Sequence, residues 1–359
     1  MQIEDLGWDR YHHIIENLNV SDLHNIGRIA VEHKQSLLIY TDSGEIEGLV
    51  PRKLVHRSNP LNLPKVGDWV VFERLPGENK AVISEVLPRY TVLSRKEVGK
   101  KTKEQVIATN IDTVFIVMGF DDNFNLSRLE RYLLLVAASG AEPIIILNKS
   151  DLVDNPTSKT SLARTHAKGT PIISISAKLN SGLEAIARAI KPDDTVVFVG
   201  SSGVGKSSII NALLGEDRQT VAETRISDSK GKHTTTRREM ILLPSGGILI
   251  DTPGMRELGS LADNDTLEAS FEDVDFYSKD CKYRDCDHDK SDNCAVKTAV
   301  QVGTISQKRY QNYLRLKLES NKINKHEDDK KTLAKKTKQR QISRAIRSLH
   351  KGNYKNRRK

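Results

Sequence analysis

Residues 195–208, Thr-Val-Val-Phe-Val-Gly-Ser-Ser-Gly-Val-Gly-Lys-Ser-Ser, set the spacing G-x-x-x-x-G-K-S directly behind a β-branched, apolar run. Gly200, Ser201, Ser202, Gly203, Val204 and Gly205 can turn successive backbone N–H groups inward around phosphate oxygens, and Lys206 can reach the outer phosphates. Ser207, followed by Ser208, offers a hydroxyl to Mg2+ at the positive end of a helix expected over 207–214. This chemistry suits a nucleoside triphosphate. Kinases, ATPases and GTPases share it, so other residues must choose the base and the reaction.

Asn148-Lys149-Ser150-Asp151 follows the apolar run 143–147. The Asp151 carboxylate can accept from the ring N–H and exocyclic amine of guanine together, a pair adenine does not offer. Asn148 is expected at the other edge of the base, with the Lys149 stem over the ring. Ser176-Ala177-Lys178 follows the next strand run, where a backbone N–H can meet the guanine carbonyl. Beyond the phosphate loop, Gly231-Lys232-His233-Thr234-Thr235-Thr236 occupies the place of a mobile switch that senses the third phosphate. The run 247–250 then ends in Asp251-Thr252-Pro253-Gly254, where Asp251 can hold Mg2+ through water and the Gly254 N–H can bind the γ-phosphate.

The base-reading motifs precede the phosphate loop, the reverse of ordinary Ras-like enzymes, so the α/β domain is expected to be circularly permuted. Its switch region then runs directly into a C-terminal module. That module contains all three cysteines of the chain, as Cys281-x4-Cys286-x-His288-x5-Cys294. An odd number clustered in fourteen residues argues against a disulfide framework; the readings left are a closed tetrahedral zinc site or three unrelated reduced thiols. A catalytic zinc would need an open ligand position, and this set leaves none.

At 359 residues the chain should hold two or three domains. Residues 1–24 read as an amphipathic helix with Leu6, Trp8, Tyr11, Ile14, Ile15 and Leu18 on its docking face. Residues 25–97 hold five β-rich runs, at 27–41, 44–55, 68–74, 81–88 and 90–94, as expected of an oligonucleotide-binding (OB) type barrel. Arg52, Lys53, His56 and Arg57 add charge there. The run 95–104 reads as a charged linker, with a boundary near 105. Residues 105–262 alternate strand and helix as a doubly wound parallel sheet, with its ligand at the carboxyl ends of the strands. Residues 263–320 form the metal module, in which 306–318 reads as a helix, and 321–359 a basic tail. The tail has 15 Lys or Arg against 3 Asp or Glu, while the rest of the chain has 41 against 44. Such asymmetry points to a polyanion such as RNA, or to a solvated tail. No apolar run approaches the roughly 18 residues of a membrane span, and the start lacks a signal peptide's basic region, so a cytoplasmic location is expected.

A small barrel, a permuted GTPase with Gly-Lys-His-Thr-Thr-Thr and a Cys3His module together resemble the bacterial ribosome small-subunit-dependent GTPase A family, over roughly residues 25–320. The resemblance implies a GTPase acting in late maturation of the small ribosomal subunit, binding ribosomal RNA near the decoding region and leaving after hydrolysis. It implies His233 as the catalytic histidine and Thr235 as the switch threonine on Mg2+. Met255 stands where many GTPases place a water-orienting glutamine, so His233, or a group from RNA or protein, must do that work. A GTP-sensing RNA-binding regulator with little turnover is the alternative, and a P-loop kinase the third. A monomer is expected.

If the tail grips RNA, its net +12 charge releases counterions on binding, so truncation after Asn321 should flatten the salt dependence of affinity for small subunits. Titration at several salt concentrations checks this; an unchanged slope would make the tail a passive extension.

Overall fold

The computed structural model describes residues 2–15, 25–33, 36–52, 54, 60–96, 104–167, 169–215, 238–252, 271–283 and 286–318. Two compact units divide between Ala262 and Asp263.

The first unit opens with a 3-10 turn, Glu4–Leu6, and helix α1, Trp8–Ile14. Leu6, Trp8 and Tyr11 pack with Ile26, Trp69 and Leu87, and the Trp8 and Trp69 rings meet edge to face at 4.9 Å. Ile14, expected on this face, is exposed, and Leu18 lies outside the described residues.

Five strands follow: β1 Ile26–Glu32, β2 Leu37–Thr41, β3 Gly44–Leu49, β4 Trp69–Arg74 and β5 Lys80–Val86. Their order is β1-β2-β3-β5-β4, and β4 pairs back onto β1, which closes the barrel of the expected OB type. The run read as one strand over 27–41 is a hairpin, β1 with β2. Arg52 is exposed, whereas Lys53, His56 and Arg57 lie outside the described residues.

The expected fifth barrel strand is instead β6, Val92–Lys96, which pairs antiparallel with β7, Glu104–Thr109. The charged run taken for a linker therefore joins two paired strands: Arg95 lies opposite Gln105, and Lys96 opposite Glu104. A boundary near 105 would cut this hairpin. Its charges misled because a solvated hairpin end and a linker have the same composition.

The α/β portion comprises β8 Thr113–Gly119, α2 Leu126–Ser139, β9 Glu142–Asn148, α3 Thr157–Ala167, β10 Ile172–Ser174, α4 Leu183–Ala189, β11 Thr195–Gly200, α5 Lys206–Leu214, β12 Glu239–Leu242 and β13 Ile248–Asp251. Strands β10-β9-β8-β11-β13 run parallel, so their carboxyl ends share one edge. β12 lies antiparallel to β13 and also touches β1 through Val31 and Glu239, which makes one eleven-stranded sheet of barrel and α/β layers. Side chains alternate across β8: Val114, Ile116 and Met118 join a core continuous with the barrel, while Phe115 and Val117 pack on the other face.

Buried Arg28 fastens these parts. Its guanidinium donates to the carbonyls of Leu6 (2.7 Å), Gly67 (3.2 Å) and Asn110 (2.9 Å), one in the N-terminal turn, one in the barrel and one ahead of β8. Arg10 of α1 adds a second tie, to Asp112 at 2.6 Å and Asp194 at 3.0 Å. In the second unit, α6 Glu272–Ser278, α7 Ala295–Gln301 and α8, residues 307–318, surround the cysteine cluster.

Arg28→Ala removes three buried hydrogen bonds from a charged donor, at about 1–3 kcal/mol each, and leaves the Gly67 carbonyl only the Asn110 amide as side-chain donor. Urea unfolding should register a loss of at least about 3 kcal/mol. An unchanged midpoint would contradict the clamp.

Candidate functional site

The loop between β11 and α5 takes backbone conformations that side chains resist. Gly205 has φ +95°, and a Cβ there would lie 2.2 Å from Asn148 Nδ2; a Cβ on Gly200 would lie 2.3 Å from the Val117 carbonyl. Lys206 folds over the loop, its Nζ 2.7 Å from the Gly200 carbonyl and 2.8 Å from that of Ser201. Ser207 and Ser208 lie in the first turn of α5, and Val204 anchors the loop in the core. Gly203 and Ser202 are exposed.

Asn148, at the end of β9, is buried. Its Nδ2 donates to the Val204 carbonyl at 2.9 Å, and its Oδ1 accepts from Ala177 N–H at 3.0 Å. The amide expected at the base edge is thus turned into the protein, where it ties the phosphate loop to Ser176-Ala177-Lys178.

Asp151 is exposed and accepts from Ser176 Oγ at 2.5 Å, so the serine fixes one carboxylate oxygen. Ser150 N–H donates to the Ile175 carbonyl at 3.0 Å, which fastens the two base-side loops, and the Lys178 side chain is exposed. Lys149 adopts φ +66° and sends its ammonium to Asp121 Oδ2 at 2.6 Å. Burial raises the Asp121 pKa, but hydrogen bonds from Lys149 and Asn123, with the Lys149 charge, outweigh it and hold the carboxyl below its ordinary value.

Two neighbours of the site were missed from sequence. Asp121 follows β8 with no motif around it. Arg128, on the first turn of α2, donates from Nη1 to Ser201 Oγ at 2.6 Å. Asp251 ends β13 on the shared edge, opposite Glu239. His233, Thr235, Gly254 and Met255 lie outside the described residues.

In the second unit, one ligand atom from each of Cys281, Cys286, His288 and Cys294 lies within 4.8 Å of the others. The His288 Nδ1 is 3.6 Å from Cys281 Sγ and 3.5 Å from Cys294 Sγ, and those two sulfurs are 3.9 Å apart. Tetrahedral bonds of about 2.3 Å to sulfur and 2.0 Å to nitrogen require S···S near ~3.8 Å and S···N near ~3.5 Å. Those three donors fit one tetrahedral ion with Cys286 beside them, and all three cysteines are free thiols. Burial first, then the Lys317 charge, pushes the imidazole down to about 4 despite Asp287, so His288 is an unprotonated donor at neutral pH. Burial pushes the Cys294 thiol up to about 11, and a metal would displace that proton. Tyr310 holds the His288 carbonyl at 2.5 Å.

Purified, unoxidised chain should carry about one tightly held metal ion, and Cys286→Ala should release it and loosen the C-terminal unit alone. Elemental analysis with limited proteolysis checks this; metal-free folded protein would refute it.

A sequence profile of the RsgA GTPase family matches residues 86–261. "Small ribosomal subunit biogenesis GTPase RsgA" of Leptospira interrogans serovar Lai is 39% identical over 95% of this chain and 94% of its own. "Small ribosomal subunit biogenesis GTPase RsgA 1" of Listeria innocua is 42% identical over 89% of each. Among solved structures, YjeQ from Thermotoga maritima aligns with TM-score 0.58 and 26% identity over 82% of this chain and 98% of that one. YloQ, titled a circularly permuted GTPase, aligns with TM-score 0.56 and 25% identity over 85% and 98%. With its sheet, its permuted order of loops and these likenesses running along almost the whole chain, the protein belongs to the RsgA GTPase family.

Proposed function

We propose that the chain hydrolyses GTP to GDP and phosphate as a late assembly factor of the small ribosomal subunit, and that the subunit stimulates the reaction. The observation that carries the reading is the joined pair of loops: a carboxylate suited to guanine, Asp151, held by Ser176 and tied through Asn148 to a phosphate loop. The relatives, named for biogenesis of the small ribosomal subunit, supply the ribosomal partner.

In this reading the loop amides and Lys206 bind the phosphates, and Asp151 with the Ala177–Lys178 backbone selects guanine. Oxygen donors at Ser207, Thr235 and, through water, Asp251 suit Mg2+, which when bound neutralises charge on the β- and γ-phosphates. Ser207, in the first turn of the helix that follows β11, and Asp251, at the carboxyl end of the neighbouring parallel strand β13, are placed as that role needs. The Gly254 N–H meets the γ-phosphate, and His233 orients the water that attacks γ-phosphorus as the bond to GDP breaks. The Cys3His set holds one structural zinc, since a thiolate-rich tetrahedral site selects it over Mg2+. The barrel, the C-terminal unit and the tail grip ribosomal RNA. The chain acts as a monomer in the cytoplasm; no helix among the described residues is long and apolar enough to cross a membrane.

Free protein should turn over at about 10⁻⁴ to 10⁻² per second, because Met255 replaces the glutamine, and small subunits should accelerate it by up to about a thousandfold. His233→Ala should lose most stimulation yet keep GTP binding, while Lys206→Ala should damage both. Phosphate-release assays with small subunits, large subunits or none decide: no preference for small subunits defeats the assembly reading, and negligible turnover under all conditions favours a GTP-sensing regulator.

A further inference from the structure

The geometry points to Arg128 as a further residue of the triphosphate site: we propose that it contacts the γ-phosphate and makes the loop prefer GTP to GDP. This rests on the GTP reading above.

Arg128 is placed with care by its own helix. It is the third residue of α2, and its backbone N–H is capped by the Asn125 side chain at 3.0 Å. Its guanidinium reaches the phosphate loop, with Nη1 2.6 Å from Ser201 Oγ. The Lys206 ammonium lies 2.8 Å from the carbonyl of the same Ser201. Two cations thus converge on one loop residue, and Lys206 in this motif serves the outer phosphates. Among the described residues no carboxylate pairs with Arg128, which is half-buried. Partial burial of a cation is costly without an anion, and the planar guanidinium matches phosphate oxygens in pairs. A triphosphate in the loop supplies that anion, and its γ-group adds the charge that GDP lacks. In P-loop enzymes an arginine in cis serves transition-state charge in the same way, which suits a chain with Met255 in the glutamine position.

The test measures the affinities of full-length wild type, Arg128→Gln and Arg128→Lys for GDP and a non-hydrolysable GTP analogue by calorimetry, with melting curves and turnover. Arg128→Gln should weaken the analogue roughly tenfold and GDP less than about twofold, as expected for one lost charge-assisted pair. Its melting temperature without nucleotide should match wild type, and Arg128→Lys should restore part of the preference. Equal losses for both nucleotides, or none, would overturn the proposal and leave Arg128 a loop support. Should the glutamine variant fail to fold, the lysine variant decides alone: an unchanged GTP-to-GDP ratio overturns the proposal. A wild type that binds neither nucleotide would instead sink the GTP reading.

Discussion

Two hydrogen bonds of one buried carboxamide hold the nucleotide face together. Asn148 joins the end of β9 to the Val204 carbonyl of the phosphate loop and to the Ala177 N–H of the loop after β10. Each bond contributes only about 0.5–1.5 kcal/mol net, yet breaking one strands a buried polar group at about 1–3 kcal/mol. The tie also requires a glycine at 205, because any Cβ there would collide with the amide. Base loop and phosphate loop are therefore fixed relative to each other before a ligand arrives, which is preorganisation in the sense that lowers the cost of binding.

The same arrangement explains how a permuted chain can build the site. Neighbours on the face are set by the parallel order β10-β9-β8-β11-β13, and that order is indifferent to where the chain is opened. Permutation changes what the ends of the face are attached to. Strand β12, which follows the switch sequence, pairs with β1 of the barrel, and Arg238 at its start meets Glu32 at 3.2 Å and the Val106 carbonyl at 3.1 Å. Lys65 completes this ion-pair group on Glu32. Burial pulls Arg238 below the ordinary arginine range, against the opposing charge of Glu32, so the pair is held in a partly dry setting. Barrel and α/β layers consequently share one sheet and one core, and Arg28 locks the N-terminal turn onto both.

The readable parts of the sequence were those with strong local signals. Thr113–Gly119 is buried throughout, so its unbroken apolar run could only be an inner strand. The motifs after β9, β11 and β13 followed from such runs, and α2 has local stop signals at both ends, Asn125 as its N-cap and Gly140 as its C-cap. What failed had weak or distant signals. Helix α3 buries only Ala163 and Ala167, too thin a stripe to register, and β12 lies beside a long polar stretch. The β6–β7 hairpin carries linker-like charges. Asp121 and Arg128 join the site by reach across the sheet edge, and the inward turn of Asn148 depends on partners 29 and 56 residues away.

Guanine selection by Asp151 is the claim on which the site stands, and exchanging its acceptor for a donor tests it most directly. In Asp151→Asn the amide can donate to the xanthine carbonyl that replaces guanine's amine. Calorimetry should find GTP weakened at least about a hundredfold and xanthosine triphosphate improved, the scale expected when a site built for hydrogen bonds loses its match. GTP affinity equal to that of wild type would contradict it.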